Sequence, residues 1–490
     1  MTADRVQPHL FVILGATGDL TRRKLLPALC SLAKEDLLGE RFAILGVGRK
    51  ADQDDAGFRR WARQVIEETG FSAEHTHRWC DECLHYQPVG TGTMQDYRAL
   101  GDRIMALERD HNLPGNRTFY LAQPPGAFPS TITGLGEAAL NHSPGWTRLV
   151  IEKPFGRDLT SAQELNELAH RYFAESQLYR IDHYLGKETV QNLLVFRFAN
   201  TIFESLWNRD RVESVQITVA ESLGIEQRAG YYEQTGAFRD MVQNHVTQLV
   251  SLIGMEVPAA FNAEAVRYEK VKLLGAISPI RSEDVVLGQY TPGNIDGAKA
   301  VGYRDEPGVV SDSHTETYVA MQLRIDTWRW QGVPFYIRTG KRLTRRLTQI
   351  AVIFRSPPVC LFESLGGCET HPNALMLTLQ PDEGFALCFD VKVPAEPFAL
   401  RTIPLHFHYK DAFGEIPDAY QTLLLEVLTG DQTLFVHADE TEVSWRLYTP
   451  LVEQKLPVSP YAAGTWGPAE ADQLLARDGH AWHGPVDVPG

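Results

Sequence analysis

The sequence predicts two domains: a first domain built on a doubly wound parallel α/β sheet, and a larger second domain of the α+β class. The chain has 490 residues, which is too long for one ordinary hydrophobic core. Its first third alternates short apolar runs with helical patterns, as parallel strands joined by crossover helices do. From about residue 180 onward, alternating apolar and polar residues predominate, which is typical of antiparallel strands with one covered face.

The first third contains four predicted strands and the helices that connect them. The predicted strands are residues 9–14, 41–47, 117–122 and 148–152. A helix is predicted at 129–140. Ser161 and Glu164 have the spacing of a capping box, which predicts a further helix beginning at Ser161 and ending near residue 174.

The remainder of the chain mixes helices with longer alternating strands. The predicted helices are 187–199 and 234–253, and the predicted strands are 212–220, 317–325, 334–338, 374–379 and 385–393. We therefore expect residues 1–180 to form the first domain and 181–490 the second. The tail from Asp478 is rich in Gly, Pro and His, which predicts poor order.

Composition excludes several functional classes. Hydrophobic residues make up 43% of the chain and charged residues 22%, a normal globular balance, and the net charge of −15 argues against nucleic-acid binding. No apolar run approaches the length of a membrane span, and Asp4 with no apolar core after it argues against a signal peptide. Six scattered cysteines favour reduced thiols, so we expect a cytoplasmic protein without membrane association.

A glycine turn follows the first predicted strand. It reads Gly15-Ala16-Thr17-Gly18-Asp19-Leu20, with G-x-x-G spacing instead of G-x-G-x-x-G. Glycines allow the backbone to approach a pyrophosphate, and the following helix offers its N-terminal amides. The turn therefore favours a Rossmann-type dinucleotide site, although a tight turn without a ligand is the alternative.

The end of the second strand indicates which dinucleotide binds. A site that prefers NAD places an acid there, but this chain has Gly48-Arg49-Lys50, with no acid before Asp52. Arg49 can stack on adenine and pair with a 2′-phosphate, so NADP is favoured, with NAD as a second possible acceptor. Lys24 on the first helix could reach the same phosphate. Solvated charges are the alternative for both residues.

Two further segments carry candidate substrate residues. Lys153, in the run Glu152 to Gly156, follows a predicted strand whose carboxyl end is the usual place for ligands in such sheets. The run Arg180 to Lys187 (R-I-D-H-Y-L-G-K) combines an imidazole, a phenol and a lysine, which suits a phosphate, with Gly186 loosening the backbone. An exposed loop lysine and a polar turn with an interior tyrosine are the alternatives.

The segment Arg239 to His245 lies on a predicted helix. In an α-helix, Asp240 and His245 would be roughly 140° apart around the axis, so they need not touch. A histidine base usually needs a carboxylate from elsewhere in the chain, and Asp182 is a candidate. A structural histidine is the alternative.

The order of these motifs resembles glucose-6-phosphate dehydrogenase over nearly the whole chain, and the bacterial enzymes most closely. The matching segments are 15–20 (G-A-T-G-D-L), 152–156 (E-K-P-F-G), 180–188 (R-I-D-H-Y-L-G-K-E), 190–193 (V-Q-N-L), 207–210 (W-N-R-D), 240–245 (D-M-V-Q-N-H) and 332–343 (G-V-P-F-Y-I-R-T-G-K-R-L).

The resemblance implies a role for each matched residue. The catalytic residues would be His245 as general base and Asp182 as its carboxylate partner. The substrate residues would be His183, Tyr184 and Lys187 at the phosphate, Glu221 and Asp240 at the sugar hydroxyls, and Lys341, Arg346 and Lys153. The cofactor residues would be Gly15, Thr17, Gly18, Asp19, Leu20, Lys24 and Arg49, with Lys153 touching both ligands.

The resemblance also implies the reaction and the assembly. D-glucose 6-phosphate would be oxidised at C1 to 6-phospho-D-glucono-1,5-lactone with hydride transfer to NADP+, the first step of the oxidative pentose phosphate pathway, by a homodimer or homotetramer. Vertebrate relatives carry a second, structural NADP site, and Thr378 in place of one of its arginines predicts that this site is missing here.

Three alternatives remain open at this point. One is a Rossmann-type oxidoreductase for an unphosphorylated sugar, and another is a catalytically silent, NADP-sensing protein. The third concerns His75-x-His77-x-x-Cys80-x-x-Cys83, whose residue types suit zinc. Its spacing is uneven and the family needs no metal, so we predict no metal site.

Overall fold

The computed structural model describes residues 6–50, 53–359, 371–395 and 399–484. The chain forms two compact units. The first comprises residues 1–187, 259–267 and 417–442, and the second comprises 188–258, 268–416 and 443–490. The first unit thus includes two later segments of the chain, and the division into continuous domains 1–180 and 181–490 stays a prediction.

The first unit contains a six-stranded parallel sheet. Its strands are β1 (His9–Leu14), β2 (Phe42–Gly48), β3 (Leu84–Pro88), β4 (Arg117–Leu121), β5 (Thr147–Ile151) and β6 (Leu178–Arg180). They follow the order β3-β2-β1-β4-β5-β6, so the strand order reverses between β1 and β4. This is the Rossmann arrangement, in which ligands bind beyond the carboxyl ends of the strands at the reversal. The predicted fold of the first domain is confirmed.

Amphipathic helices cover this sheet. They are α1 (Leu26–Lys34), α2 (Asp55–Glu67), α3 (Ala73–Cys83), α4 (Met94–Asp110), α5 (Phe128–Glu137) and α6 (Leu159–Tyr172). The N-cap of α6 is Asp158, three residues before the predicted Ser161. Asp158 is the N-cap and accepts the Ser161 N–H over 2.8 Å, while Ser161 Oγ accepts the Asp158 N–H over 3.2 Å. Ser161 is therefore the N3 residue of the capping box, and Asp158 is its N-cap.

The remaining helices follow β6 along the chain. They are α7 (Glu188–Phe198), α8 (Thr201–Glu204), α9 (Ala229–Ala237), α10 (Thr247–Gly254), α11 (Ala263–Gly275), α12 (Tyr409–Phe413), α13 (Ala419–Thr429), α14 (Ala438–Glu453) and α15 (Ala469–Ala476). A π-helix, Phe238–Val246, joins α9 to α10. The helix predicted over 234–253 is therefore not continuous: Gly236 has non-helical backbone angles, and the π-helix and α10 follow it.

The second unit contains a nine-stranded mixed sheet and a small hairpin. Its strands are β7 (Val212–Ala220), β8 (Val285–Thr291), β9 (Gly293–Ile295), β10 (Ala298–Ala300), β11 (Tyr318–Leu323), β12 (Phe335–Gly340), β13 (Leu347–Phe354), β14 (Ala374–Gln380), β15 (Gly384–Lys392), β16 (Leu400–His408) and β17 (Val458–Ala462). The order is β16-β15-β14-β13-β7-β12-β11-β8-β17, and β9 pairs with β10 in the hairpin. Six of the eight pairings in the large sheet are antiparallel, which confirms the predicted mainly antiparallel sheet.

The first part of the tail packs onto the second unit. Tyr336 donates its hydroxyl to Asp478 over 2.7 Å, and Gln216 Nε2 donates to the Ala481 carbonyl over 2.9 Å. The prediction of poor order is therefore wrong for residues 478–484, and residues 485–490 lie outside the described part. None of the helices in the described ranges is both long enough and apolar enough to cross a membrane.

Candidate active site

The glycine turn lies at the carboxyl end of β1, where the strand order reverses. Gly15 has a φ of +99°, and a Cβ there would lie 2.4 Å from the Ala122 carbonyl oxygen, so only glycine fits. Thr21 Oγ1 donates to the Gly15 carbonyl over 3.1 Å and fixes the turn against the following helix. The predicted residues Thr17, Gly18, Asp19 and Leu20 form this connection. The backbone shape fits a bound pyrophosphate.

Arg49 directly follows β2 and is exposed. Within the described ranges no carboxylate lies within 4 Å of its guanidinium, so its charge is available to a ligand. An unpaired arginine at this strand end suits a 2′-phosphate and fits NADP. The residues present therefore match the dinucleotide that the sequence predicts.

A buried carboxylate directly follows β5. Glu152 accepts the hydroxyl of Tyr120 over 2.6 Å and that of Tyr420 over 3.3 Å. Burial raises the pKa of Glu152, although both tyrosine hydrogen bonds oppose the shift. Lys153 directly follows Glu152. The buried hydrogen bonds of Glu152 to Tyr120 and Tyr420 therefore fix the chain next to this candidate residue.

Tyr420, on α13, was missed by sequence reasoning. Its ring lies nearly parallel to the His183 imidazole, at 11°, with 6.4 Å between the centroids. Lys24 lies on the same tyrosine, with Nζ 5.9 Å from the ring centroid and 2.8 Å from the Asp418 carboxylate. Lys24, which was predicted to reach the same 2′-phosphate as Arg49, lies beside Tyr420, and its cofactor role stays a prediction. Tyr420 is far from His183 in sequence, so no local pattern links the two.

The run Arg180 to Lys187 forms a compact turn after β6. Asp182 is 2% exposed, and its Oδ1 accepts the Tyr184 N–H over 2.9 Å. The Tyr184 ring is buried, and Lys187 Nζ lies 3.8 Å from its centroid. The turn thus places Lys187 beside the rings of His183 and Tyr184.

The role predicted for Gly186 was wrong. Gly186 is not in the left-handed region. A Cβ at this position would lie 2.5 Å from the Ala419 carbonyl oxygen. Glycine is required because α13 approaches this backbone closely, and not because the turn must be loose.

In the second unit, parallel strands bring Glu221 and Lys341 together. Ala220 pairs with Gly340 in the β7–β12 ladder, so the next residue of each strand lies at the same edge of the sheet. Lys341 is buried and donates to the Glu221 carboxylate. Lys341 Nζ also lies 5.3 Å from the ring centroid of Tyr232, a second residue that sequence reasoning missed. The arrangement can hydrogen-bond the hydroxyls of a sugar.

Asp240 and His245 lie on the π-helix Phe238–Val246. A π-helix bonds residue i to residue i+5, so residues five apart lie on similar sides, and the 140° separation expected from α-helical geometry is wrong. Asp240 is 5% and His245 1% exposed, and Tyr231 donates its hydroxyl to Asp240 over 3.2 Å. Short π-helical segments are frequent at functional sites.

Arg346, a candidate substrate residue, is exposed just before β13 and donates a hydrogen bond to Gln380 over 3.0 Å.

In the group considered for zinc, His77 lies 3.0 Å from the Glu67 carboxylate, and burial raises the pKa of the Cys80 and Cys83 thiols to about 12. Protonated thiols are poor zinc ligands. The side chain of His75 lies outside the described part.

The parallel sheet with its glycine turn, and the acid, lysine and histidine of the second unit, define an NAD(P)-dependent oxidoreductase. Residues 12–192 match the family model "Glucose-6-phosphate dehydrogenase, NAD binding domain", and residues 194–483 match "Glucose-6-phosphate dehydrogenase, C-terminal domain". The chain belongs to the glucose-6-phosphate dehydrogenase family. It is an oxidoreductase that acts on a CH–OH group, and NADP+ is the acceptor standard for this family.

Similar proteins extend over nearly the full chain. The glucose-6-phosphate 1-dehydrogenase of Aggregatibacter actinomycetemcomitans is 44% identical over 97% of this chain and 97% of its own. That of Mycolicibacterium smegmatis is 44% identical over 99% of both. A solved glucose-6-phosphate dehydrogenase in complex with glucose-6-phosphate is 34% identical, with a TM-score of 0.91 over 99% of this chain and 100% of that chain. The Mycobacterium avium enzyme is 33% identical, with a TM-score of 0.85 over 98% and 100%.

Proposed function

We propose that the chain oxidises D-glucose 6-phosphate at C1 to 6-phospho-D-glucono-1,5-lactone and transfers the hydride to NADP+. The observation that carries the proposal is the buried His245 on a π-helix, because a neutral imidazole is the group this oxidation requires. The bound dinucleotide supplies the hydride acceptor.

His245 is proposed as the general base. The C1 hydroxyl must lose its proton as the carbonyl forms, and a neutral imidazole accepts a proton near pH 7. A carboxylate stabilises the imidazolium produced, as in other histidine bases. Asp182 is proposed for that role on the resemblance of its motif. Its low exposure supports the assignment, since a buried carboxylate is weakly screened.

The sugar hydroxyls are assigned to Glu221 and Asp240, with Lys341 beside Glu221. Both carboxylates can accept hydroxyl hydrogen bonds when ionised, and Lys341 can donate to a hydroxyl oxygen. Lys341 also holds Glu221 in place through their direct contact. Arg346 is proposed as an outer contact, since its guanidinium is exposed.

The phosphate is assigned to His183, Tyr184 and Lys187, which the Asp182 turn groups together. Lys24 is proposed to join them, because it lies beside Tyr420, which also faces His183. This assignment favours the sugar phosphate over the 2′-phosphate as the partner of Lys24. Phosphate binding far from C1 orients the sugar for reaction.

The dinucleotide is assigned to the turn Gly15 to Leu20, with Arg49 at its 2′-phosphate and Lys153 near both ligands. Arg49 can accept a phosphate without rejecting a nucleotide that lacks it, so NAD+ is a weaker second acceptor. NADPH formation with glucose 6-phosphate, repeated with NAD+ and with glucose, tests the assignment. Equal activity with glucose would support a dehydrogenase for unphosphorylated sugars, and NADP binding without turnover would support a silent sensor.

We also infer a cytoplasmic homodimer or homotetramer. The edge strand β16 exposes Ile403 and Leu405, at 42% and 64%, and Phe413 on α12 is 72% exposed. Exposed apolar groups at a sheet edge favour association with a second copy. Light scattering on the purified protein distinguishes dimer, tetramer and monomer, and a monomer at micromolar concentration would contradict the inference.

A further inference from the structure

A cavity of about 330 Å³ lies at the amino ends of β5 and β6. Thr147, the first residue of β5, and Gln177, which directly precedes β6, both line it. The glycine turn and Glu152 lie at the opposite, carboxyl ends of the strands. A strand of five residues spans about 17 Å, so this cavity is separate from the candidate residues at the other end of β5.

Arg148 provides the positive charge of the cavity. Its Nη1 donates to the Val427 and Leu428 carbonyls over 2.5 and 2.8 Å, and its guanidinium stacks on Trp146 at 3.7 Å. Nε and Nη2 make no hydrogen bond, and no carboxylate lies within 4 Å, among the residues described. Burial lowers the pKa of Arg148.

The walls of the cavity also favour an anion. None of the residues that line it is acidic, although the chain carries a net charge of −15. Asn141, at 4% exposure, is also among the lining residues. Glu175 directly precedes the lining residue Ser176, but its carboxylate is paired with Arg180 over 2.6 Å. Asp431 and Glu426 act electrostatically on the lining residue Tyr179.

We propose that this cavity binds a small anion, whose phosphate or carboxylate group takes the free Nε–Nη2 edge of Arg148. Guanidinium edges bind both groups in a bidentate manner. The cavity volume lies at the lower end of the range for small-molecule sites, which limits the ligand to a few carbon atoms.

The helix α13 connects this cavity to the candidate phosphate residues. Arg148 binds carbonyls in the last turn of α13, and Tyr420, which lies on His183 and Glu152, is in its first turn. The eleven residues of this helix span about 16 Å as one rigid element. Occupation of the cavity is therefore expected to change the KM for glucose 6-phosphate about twofold or more, a size typical of weak coupling.

Calorimetric titration of the full-length protein tests the proposal with two probes, inorganic phosphate and citrate, at constant ionic strength. The Lys187→Ala background weakens the separate site proposed for the sugar phosphate. Ser176→Glu adds a negative charge to the cavity wall, and Ser176→Gln is the neutral control of similar size. Ser176 is exposed, which favours normal folding of both variants. Their melting temperatures verify it.

We expect at least one probe to bind to the Lys187→Ala variant. The double variant that also carries Ser176→Gln should bind this probe with similar affinity. The double variant that carries Ser176→Glu should bind it about tenfold or more weakly. Phosphate binding alone, or citrate binding alone, identifies the preferred head group. Absence of binding by both probes, or equal binding by the glutamate and glutamine variants, would overturn the proposal. Neither result depends on turnover, so failure here is distinguishable from failure of the proposed reaction.

Discussion

Asp182 Oδ1 accepts the backbone N–H of Tyr184 over 2.9 Å, so the carboxylate is held by the same turn that carries the candidate phosphate residues. One oxygen of the buried carboxylate is thereby fixed in position. The turn can hold Asp182 for its proposed role at the base while it arranges His183, Tyr184 and Lys187 for the phosphate. The two roles can be separated by substitution.

Asp182→Asn is expected to lower kcat by about 100-fold or more and to change KM only a few-fold. The asparagine oxygen can still accept the Tyr184 N–H, so the turn is retained while the negative charge is lost. Steady-state kinetics with glucose 6-phosphate measure both values. Asp182→Ala is the control that also loses the turn, and its KM should rise as well. An unchanged kcat in Asp182→Asn would show that the Asp182 carboxylate does not assist the general base.

Lys187→Ala is expected to raise the KM for glucose 6-phosphate by about tenfold or more, because a charge-assisted hydrogen bond to a phosphate contributes about 1.5–3 kcal/mol. Lys187→Arg retains the positive charge, so its KM for glucose 6-phosphate should lie between those of the wild type and Lys187→Ala. The KM for unphosphorylated glucose should stay the same in both variants. A KM for glucose 6-phosphate equal to that of the wild type would contradict the phosphate assignment.

Arg49→Ala is expected to raise the KM for NADP+ by about tenfold and to leave the KM for NAD+ within about twofold. The arginine is exposed and has no acidic partner in the described part of the chain, so its removal should not disturb the fold. Parallel assays with both nucleotides give the ratio of the KM for NADP+ to the KM for NAD+ in the variant and in the wild type. Equal losses with NADP+ and NAD+ would show that Arg49 does not recognise the 2′-phosphate.

Glu152 gives a prediction about stability and pH. Burial raises its pKa in the folded state above that of the unfolded chain, so the contribution of this group to stability is present at low pH and lost as pH rises through the folded pKa. Glu152→Gln removes this dependence. Denaturant unfolding between about pH 4 and pH 7 should therefore show the stability of the variant, relative to wild type, increasing with pH. A relative stability that falls with pH would contradict the raised pKa.

The strands β1, β2, β4 and β5 of the first unit could be predicted from sequence because they are short, apolar and separated by clear helical patterns, whereas β3 and β6 were missed. The pattern also located Lys153 and Arg49, since ligands collect at the carboxyl ends of such strands. In the second unit, alternation predicted β7, β11, β12, β14 and β15, whereas the other six strands were missed. These signals are local in the chain.

Other features depend on packing between distant segments. Tyr420 reaches His183 only because α13 returns to the first unit, and Gly186 is required only because that helix lies against it. The π-helix at Asp240 and His245 has the same apolar spacing as an α-helix over so few residues, so its different geometry could not be predicted. The neighbours of Lys24 could not be predicted for a similar reason, because Asp418 is far along the chain.

His245→Asn is the substitution that tests the proposed general base. Turnover and equilibrium binding of glucose 6-phosphate are measured on the same preparation. We expect kcat to fall by about 100-fold to 10,000-fold, the usual contribution of a general base, while the Kd stays within a few-fold. Turnover similar to that of the wild type, with binding intact, would contradict the assignment of His245 as the base.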